Sequence, residues 1–194
     1  IGKQTKLHRH SLGWVERAED AAGRYTETEF NFAGWPRFTR TGRVADFDRQ
    51  TETVYDKTGL VTEERAWAAS SQNPQVTTYA YDWQRRLKDL ERPDTGHWGY
   101  EYDGAGRLKT ERRPDGVSLQ HIYDNAGNLT ELKVMPASGG ATSAPVAPLE
   151  TQKFTYNLFG EILTARSEDP AGNPTSLLTM AYNTLGQIES QALI

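Results

Sequence analysis

The chain has 194 residues, a formal net charge of −4 and no cysteine. Its 22 basic and 26 acidic residues are interspersed, which excludes the broad basic field that holds nucleic acid, and the missing thiols exclude a disulfide framework or a thiolate metal centre. Hydrophobic residues make up only 36%, low for a compact globule, while 10% aromatics argue against disorder, and no apolar run is long enough to cross a membrane as a helix.

The chain opens on Ile1-Gly2-Lys3-Gln4, with neither an initiator Met nor an apolar signal core, and this reads as a cut or processed end. Residues 1–49 hold two faint copies of a pattern that becomes clear later: Glu19-Asp20-Ala21-Ala22-Gly23-Arg24-Tyr25, and Phe30-Asn31 running to Gly34. His8 and His10 in alternate positions would share one side of a strand, but no further ligand at metal spacing accompanies them.

From residue 50 to 194 the pattern is regular: an aromatic, Asp or Asn, two free positions, Gly, one polar position, then Leu or Ile. The copies begin at Tyr55-Asp56 with Gly59, Tyr81-Asp82 with Arg85 in the glycine position, Tyr102-Asp103 with Gly106, and Tyr123-Asp124 with Gly127. They continue at Tyr156-Asn157 with Gly160 and Tyr182-Asn183 with Gly186. Tyr81, Tyr102 and Tyr123 are 21 positions apart, while the intervals from Tyr55 to Tyr81 and from Tyr156 to Tyr182 are 26 and that from Tyr123 to Tyr156 is 33. The extra residues are expected at turn signals: Ser70-Ser71-Gln72-Asn73-Pro74, a flexible Pro/Ala/Ser/Gly loop at about 135–148, and Asp169-Pro170-Ala171-Gly172-Asn173-Pro174.

Asp at the first turn position accepts backbone N–H groups further on, and Gly supplies the positive φ that ends a three-residue hairpin loop with a bulge. A second turn, Arg113-Pro114-Asp115-Gly116 or Arg92-Pro93-Asp94-Thr95-Gly96, falls midway through a unit, so 21 residues leave two short strands. Arg85 in the glycine position predicts either about 1 kcal/mol of strain or a different turn. The best helix candidate, Glu63–Ser70, lies where the repeat calls for a strand.

These units resemble the YD repeats of Rhs proteins, of Tc-toxin B and C components and of teneurins, most clearly over residues 100–129 with Tyr-Asp-x-x-Gly-Arg-Leu followed by Arg-Pro-Asp-Gly. The resemblance implies an all-β fold of tandem antiparallel β-hairpins in a curved, spiralling sheet, part of a hollow YD-repeat shell, with this chain a piece of the repeat region. It implies a structural role in enclosing a C-terminal toxin domain before delivery. The partners it implies are flanking repeats, that toxin domain, and a delivery or cap protein. It also implies secretion, or delivery through a bacterial secretion system to the cell surface or outside.

The alternative reading is a cell-surface module that binds glycans or a receptor through exposed aromatics, with Trp83 at a turn tip the first candidate. Nothing in the chain reads as an enzyme, a cofactor site or a metal site. The acids recur once per unit, as turn residues do and catalytic pairs do not, and Asn157 and Asn183 replace Asp without loss of the motif. Asp169-Pro170-Ala171-Gly172, which looks like the Asp-Pro-x-Gly of the family's autoproteolytic region, sits where a turn belongs and is read as one.

Overall fold

The computed structural model describes residues 6–43, 46–68, 71–137 and 146–194. Ile1 to Gln4, the centre of the loop at 135–148 and Ser70 of the proposed turn therefore lie outside the described residues. Sixteen β-strands and no helix are found among the described residues. The chain divides into two units, Ile1–Gly96 and His97–Ile194.

The first unit contains β1 (Lys6–Arg9), β2 (Val15–Glu19), β3 (Arg24–Phe30), β4 (Pro36–Arg43), β5 (Asp46–Tyr55), β6 (Val61–Ala68), β7 (Gln75–Tyr81) and β8 (Leu87–Arg92). Each strand pairs antiparallel with its neighbour in sequence. Thr and Tyr are abundant in these strands, and such side chains suit a pleated, half-buried surface. The Glu63–Ala68 stretch lies in β6, opposite β5 and β7, as the repeat requires: cross-strand pairing outweighs the helical bias of its glutamates and alanines.

The second unit is built alike, from β9 (Gly96–Tyr102), β10 (Leu108–Arg112), β11 (Ser118–Tyr123), β12 (Leu129–Met135), β13 (Glu150–Tyr156), β14 (Ile162–Glu168), β15 (Pro174–Tyr182) and β16 (Ile188–Leu193). Here too each strand pairs antiparallel with the next.

Two expectations need correction. The five extra residues between Tyr156 and Tyr182 do not enlarge the turn at Asp169. That turn has the ordinary five residues, and β14 and β15, at 7 and 9 residues, are two and three residues longer than β10 and β11, at 5 and 6. Antiparallel pairing adds residues two at a time without disturbing the turn, which accounts for four of the five, and the register shift between Ser167 and Glu168 takes up the fifth. The second correction concerns the faint copy at Asp20. It closes β2 onto β3, at the opposite end of the strands from the turns at Asn31, Asp56 and Asp82, and so belongs to the set of midway turns.

Burial is shallow. Leu90 is the one buried hydrophobic among the described residues, whereas Glu52, Thr110, Thr151 and Glu168 are buried polar groups. Glu52 lies 2.9 Å from Arg65 and 3.6 Å from Arg37, and Glu168 lies 2.9 Å from both Lys153 and Arg166. Stability is therefore distributed over backbone ladders and cross-strand side-chain pairs, each worth about 0.2–1 kcal/mol.

Candidate functional site

The recurring element is a five-residue corner. In every copy the first residue's N–H donates to the fifth residue's carbonyl at 2.8–3.0 Å, and the fourth residue's N–H donates to the first residue's carbonyl at 2.8–3.2 Å. The fourth residue is a glycine with φ between +74° and +95°, except at Arg85, whose φ is +67°. This is a type I turn followed by a left-handed residue and a bulge. The first-position oxygen of Asp56, Asp82, Asp103, Asn157 and Asn183 accepts the N–H groups of the third and fifth residues at 2.7–3.0 Å. In the Asp124 corner the fifth-residue N–H, from Asn128, donates at 2.9 Å.

The same corner forms at the midway turns. Asp20 and Asp169 accept as the repeat acids do, and Arg113 heads a corner closed by Gly116 at φ +82°. One corner contains neither Asp nor Asn. His10 is not in strand β1 beside His8; it is the first residue of a corner closing on Trp14, and its Nδ1 accepts the Leu12 N–H at 3.2 Å. An imidazole nitrogen there supplies the acceptor that Asp supplies elsewhere, and among the described residues no group of three or more metal-ligating side chains is found.

The first and fifth side chains of a corner are matched. Asp82 pairs with Arg86 at 2.7 Å, and Asp103 with Arg107 at 2.7 Å. Asp124 accepts from Asn128 at 3.0 Å, and Asp169 from Asn173 at 3.0 Å. Where the first residue is Asn the polarity reverses: Asn157 donates to Glu161 at 2.5 Å and Asn183 to Gln187 at 3.0 Å. The Asp56 corner ends on Leu60, and the Thr58 hydroxyl donates to the carboxylate instead, at 2.8 Å.

These bonds hold the acids ionised. The Asp56 carboxyl lies below its ordinary value chiefly through the Thr58 hydroxyl, Asp103 through the Arg107 N–H and guanidinium, Asp124 through the Asn128 amide and Asp169 through the Asn173 amide. For Asp82, desolvation pushes upward but is outweighed by the N–H and guanidinium of Arg86 and the N–H of Gln84. Carboxylates fixed in this way are acceptors, not proton shuttles.

The motif tyrosines have a separate task. Tyr55, Tyr81, Tyr123, Tyr156 and Tyr182 each end an odd-numbered strand, and each donates its hydroxyl across to the preceding unit. The acceptors are the carbonyls of Pro36, Val61, Leu108, Leu129 and Ile162, at 2.7–2.9 Å. In all five cases the acceptor is the first residue of the even-numbered strand. The last strand pair before each tie is Phe38 with Glu52, Glu63 with Thr78, Thr110 with Gln120, Glu131 with Lys153, and Thr164 with Thr179. The acceptor lies two residues beyond that pair on one strand, and the tyrosine three beyond it on the other. The tyrosine hydroxyl therefore takes over where the backbone ladder stops, and satisfies a carbonyl left without an N–H partner. Desolvation raises the pKa of Tyr55, Tyr81, Tyr123 and Tyr156, which keeps the hydroxyls protonated as donors. Tyr102 ends β9 opposite Leu108. Phe30 occupies the equivalent place in β3 and carries no hydroxyl.

The fifth corner residue also covers the next corner. A Cβ added to Gly59 would lie 2.8 Å from the Trp35 ring, and one added to Gly34 would lie 2.8 Å from Trp14. Trp35 meets Tyr55 at 5.2 Å, Trp14 meets Phe30 at 5.2 Å, and the Arg107 guanidinium stands 4.5 Å over the Tyr123 ring.

A unit of two strands, one acid–glycine corner and one tyrosine tie thus recurs along the chain. Residues 102–139 match the family model described as RHS Repeat. Among solved structures, the chain is similar to a chain of TcdB2-TccC3 without its hypervariable C-terminal region, at a TM-score of 0.74 and 16% identity over 98% of this chain and 11% of that one. It is similar to a chain of a Photorhabdus luminescens Tc holotoxin pore at a TM-score of 0.73 and 17% identity, covering 98% of this chain and 11% of that one. A further TcdB2-TccC3 structure gives a TM-score of 0.70 and 18% identity, over 93% and 10%. These likenesses are of fold, and the chain spans about a tenth of the length of the solved chains it matches. No curated protein matches the sequence.

Corner tips differ between the two ends of the strands. In the first unit Leu12, Phe32 and Trp83 are exposed at tyrosine-side tips, at 68%, 111% and 87%. In the second unit Leu158, Phe159 and Leu185 are exposed likewise. The midway corners at Asp20, Arg113 and Asp169 carry Ala, Pro or Asp at their tips.

Proposed function

We propose that this chain is a wall segment of an RHS-repeat shell that encloses a C-terminal toxin domain of the same polypeptide until delivery. The observation that carries the reading is the tyrosine tie. In five places it fastens a hairpin unit to the one before, so that repeat number sets the extent of the wall. The function is mechanical: strand pairing builds a barrier, and no step of it asks for a reacting group. In this reading residues 1–49 are degenerate repeats leading into the repeat region of 50–194, with a loop at about 135–148. The partners are flanking repeats, the enclosed toxin domain and a delivery or cap protein, and the route is secretion or transfer by a bacterial secretion system.

The test is made on the full parent polypeptide. Its wall should shield the C-terminal domain from an added protease, and urea just sufficient to open the repeats should expose it. A C-terminal domain cut as fast in the intact protein as when produced alone defeats the proposal.

A further inference from the structure

The tyrosine-side corners of the first unit enclose a groove of about 780 Å³ whose composition is both aromatic and acidic. Its walls are the rings of Trp14, Phe30, Trp35 and Tyr55. They meet as two tilted pairs, Trp14 with Phe30 at 45° and Trp35 with Tyr55 at 47°, so ring faces are presented from two directions. Four carboxylates line the same groove: Glu16, Glu29, Glu52 and Asp56.

Three of the four are engaged. Glu29 is held by Arg40 at 2.7 Å, Glu52 by Arg65 at 2.9 Å and Arg37 at 3.6 Å, and Asp56 by its own corner N–H groups and Thr58. Glu16 has no ion pair among the described residues. The groove also contains Arg37, whose charge is matched by Glu52, and His10, whose Nδ1 is taken by the Leu12 N–H. Its uncompensated charge is therefore negative.

We infer that this groove receives one cationic side chain, an arginine or lysine of a polypeptide, between the Trp14 and Trp35 rings with its charge toward Glu16. Ring faces and a carboxylate both favour a cation, and an aromatic wall favours the planar, weakly hydrated guanidinium over a neutral polar group. The protein uses the same chemistry within itself: the Arg17 guanidinium stands 4.2 Å over Tyr25 and that of Arg37 stands 4.9 Å over Phe38. Exposed Leu12 and Phe32 also line the groove, which suits a basic residue flanked by apolar ones.

The experiment titrates the full chain with N-acetyl-argininamide and with its neutral isostere N-acetyl-citrullinamide. The tryptophan indole N–H signals are followed by NMR, with W14F and W35F serving for assignment. The arginine compound is expected to move the Trp14 and Trp35 signals and leave that of Trp98 in place. Glu16→Gln should weaken this binding by about threefold to fivefold, as should raised salt. Equal binding of the two compounds, unchanged affinity in Glu16→Gln, or no response at about 50 mM, where even a contact of about 2 kcal/mol would register, overturns the inference. So does a neutral sugar that moves both signals when the arginine compound does not. Because Glu16→Gln touches neither a corner nor a tie, its readout does not depend on the tryptophan variants keeping their fold. The shell reading stands or falls separately, on protease protection of the parent polypeptide.

Discussion

Tyr156→Phe tests the seam between hairpin units with the removal of one oxygen. The hydroxyl donates to the Leu129 carbonyl at 2.7 Å, and the two strands have no ladder bond beyond Glu131 and Lys153 on that side. Phenylalanine keeps the ring packing, so the loss is one hydrogen bond, about 0.5–1.5 kcal/mol, together with the cost of a half-buried carbonyl that water only partly reaches. About 1.5 kcal/mol is expected, roughly a tenfold change in the opening equilibrium of that seam. Amide exchange along β12 and β13 should therefore quicken about tenfold near Leu132, while exchange in β9 and β10 stays unchanged. The reverse substitution is available at Phe30, where the ring occupies the tie position without a hydroxyl: Phe30→Tyr should donate to the Val15 carbonyl and stabilise the β2–β3 seam by about 0.5–1 kcal/mol. Urea unfolding with an unchanged slope reads both effects. Unaltered exchange in Tyr156→Phe, or destabilisation by Phe30→Tyr, would refute the idea that the hydroxyl replaces the missing ladder bond.

Other substitutions bear on the corner. Gly59→Ala puts a Cβ at positive φ and 2.8 Å from Trp35, and should cost about 2–3 kcal/mol by chemical denaturation. Arg85→Gly should do the opposite and stabilise by about 0.5 kcal/mol, because it releases left-handed strain but gives up the 3.0 Å bond from the guanidinium to the Thr58 carbonyl and adds unfolded-state entropy. Asn157→Asp sets two carboxylates against each other across Glu161, so it should destabilise at neutral pH, and a second change, Glu161→Arg, should restore the loss. Acid should weaken the whole array. The folded pKa values of Asp56, Asp82, Asp103, Asp124 and Asp169 lie below the unfolded value of about 3.9, so their contribution is complete above that value. It is lost as pH falls through the folded values, and a denaturation midpoint indifferent to pH between about 5 and 2 would contradict this.

Much of the fold could be read before any coordinates. Tyr, Asp and Gly at fixed offsets, with Pro-Asp-Gly midway, describe an antiparallel hairpin array by themselves, because only a left-handed fourth position closes so short a loop. What escaped notice has physical reasons. The His10 corner carries no acid, and an imidazole acceptor is not a recognised turn signal. The Asp20 copy has the right residues but lies only 11 positions before Asn31, half a unit, which places it at the other end of the strands. The added residues before Tyr182 lengthen strands, where no turn residue marks them. Arg85 showed that one of two outcomes had to hold, and the corner kept its form. The fifth residue of the corner before it is Leu60, shorter than the tryptophans that press on Gly34 and Gly59. The tyrosine tie was invisible because its acceptor is a main-chain oxygen, the same for every residue type. The matched first and fifth positions were not read from the sequence, although Asp with Arg or Asn, and Asn with Glu or Gln, are complementary pairs written four residues apart.

Those complementary pairs lie within single corners. A corner that brings its own counter-residue carries no debt to its neighbours, and a tie that ends on a main-chain oxygen accepts whatever side chain stands there. A stretch of DNA encoding one such module can be duplicated, deleted or exchanged between relatives, and every junction that keeps the tyrosine will still find its acceptor atom. A wall assembled on those terms can change its length in a single recombination event and drift far in sequence while the join between neighbouring modules stays the same.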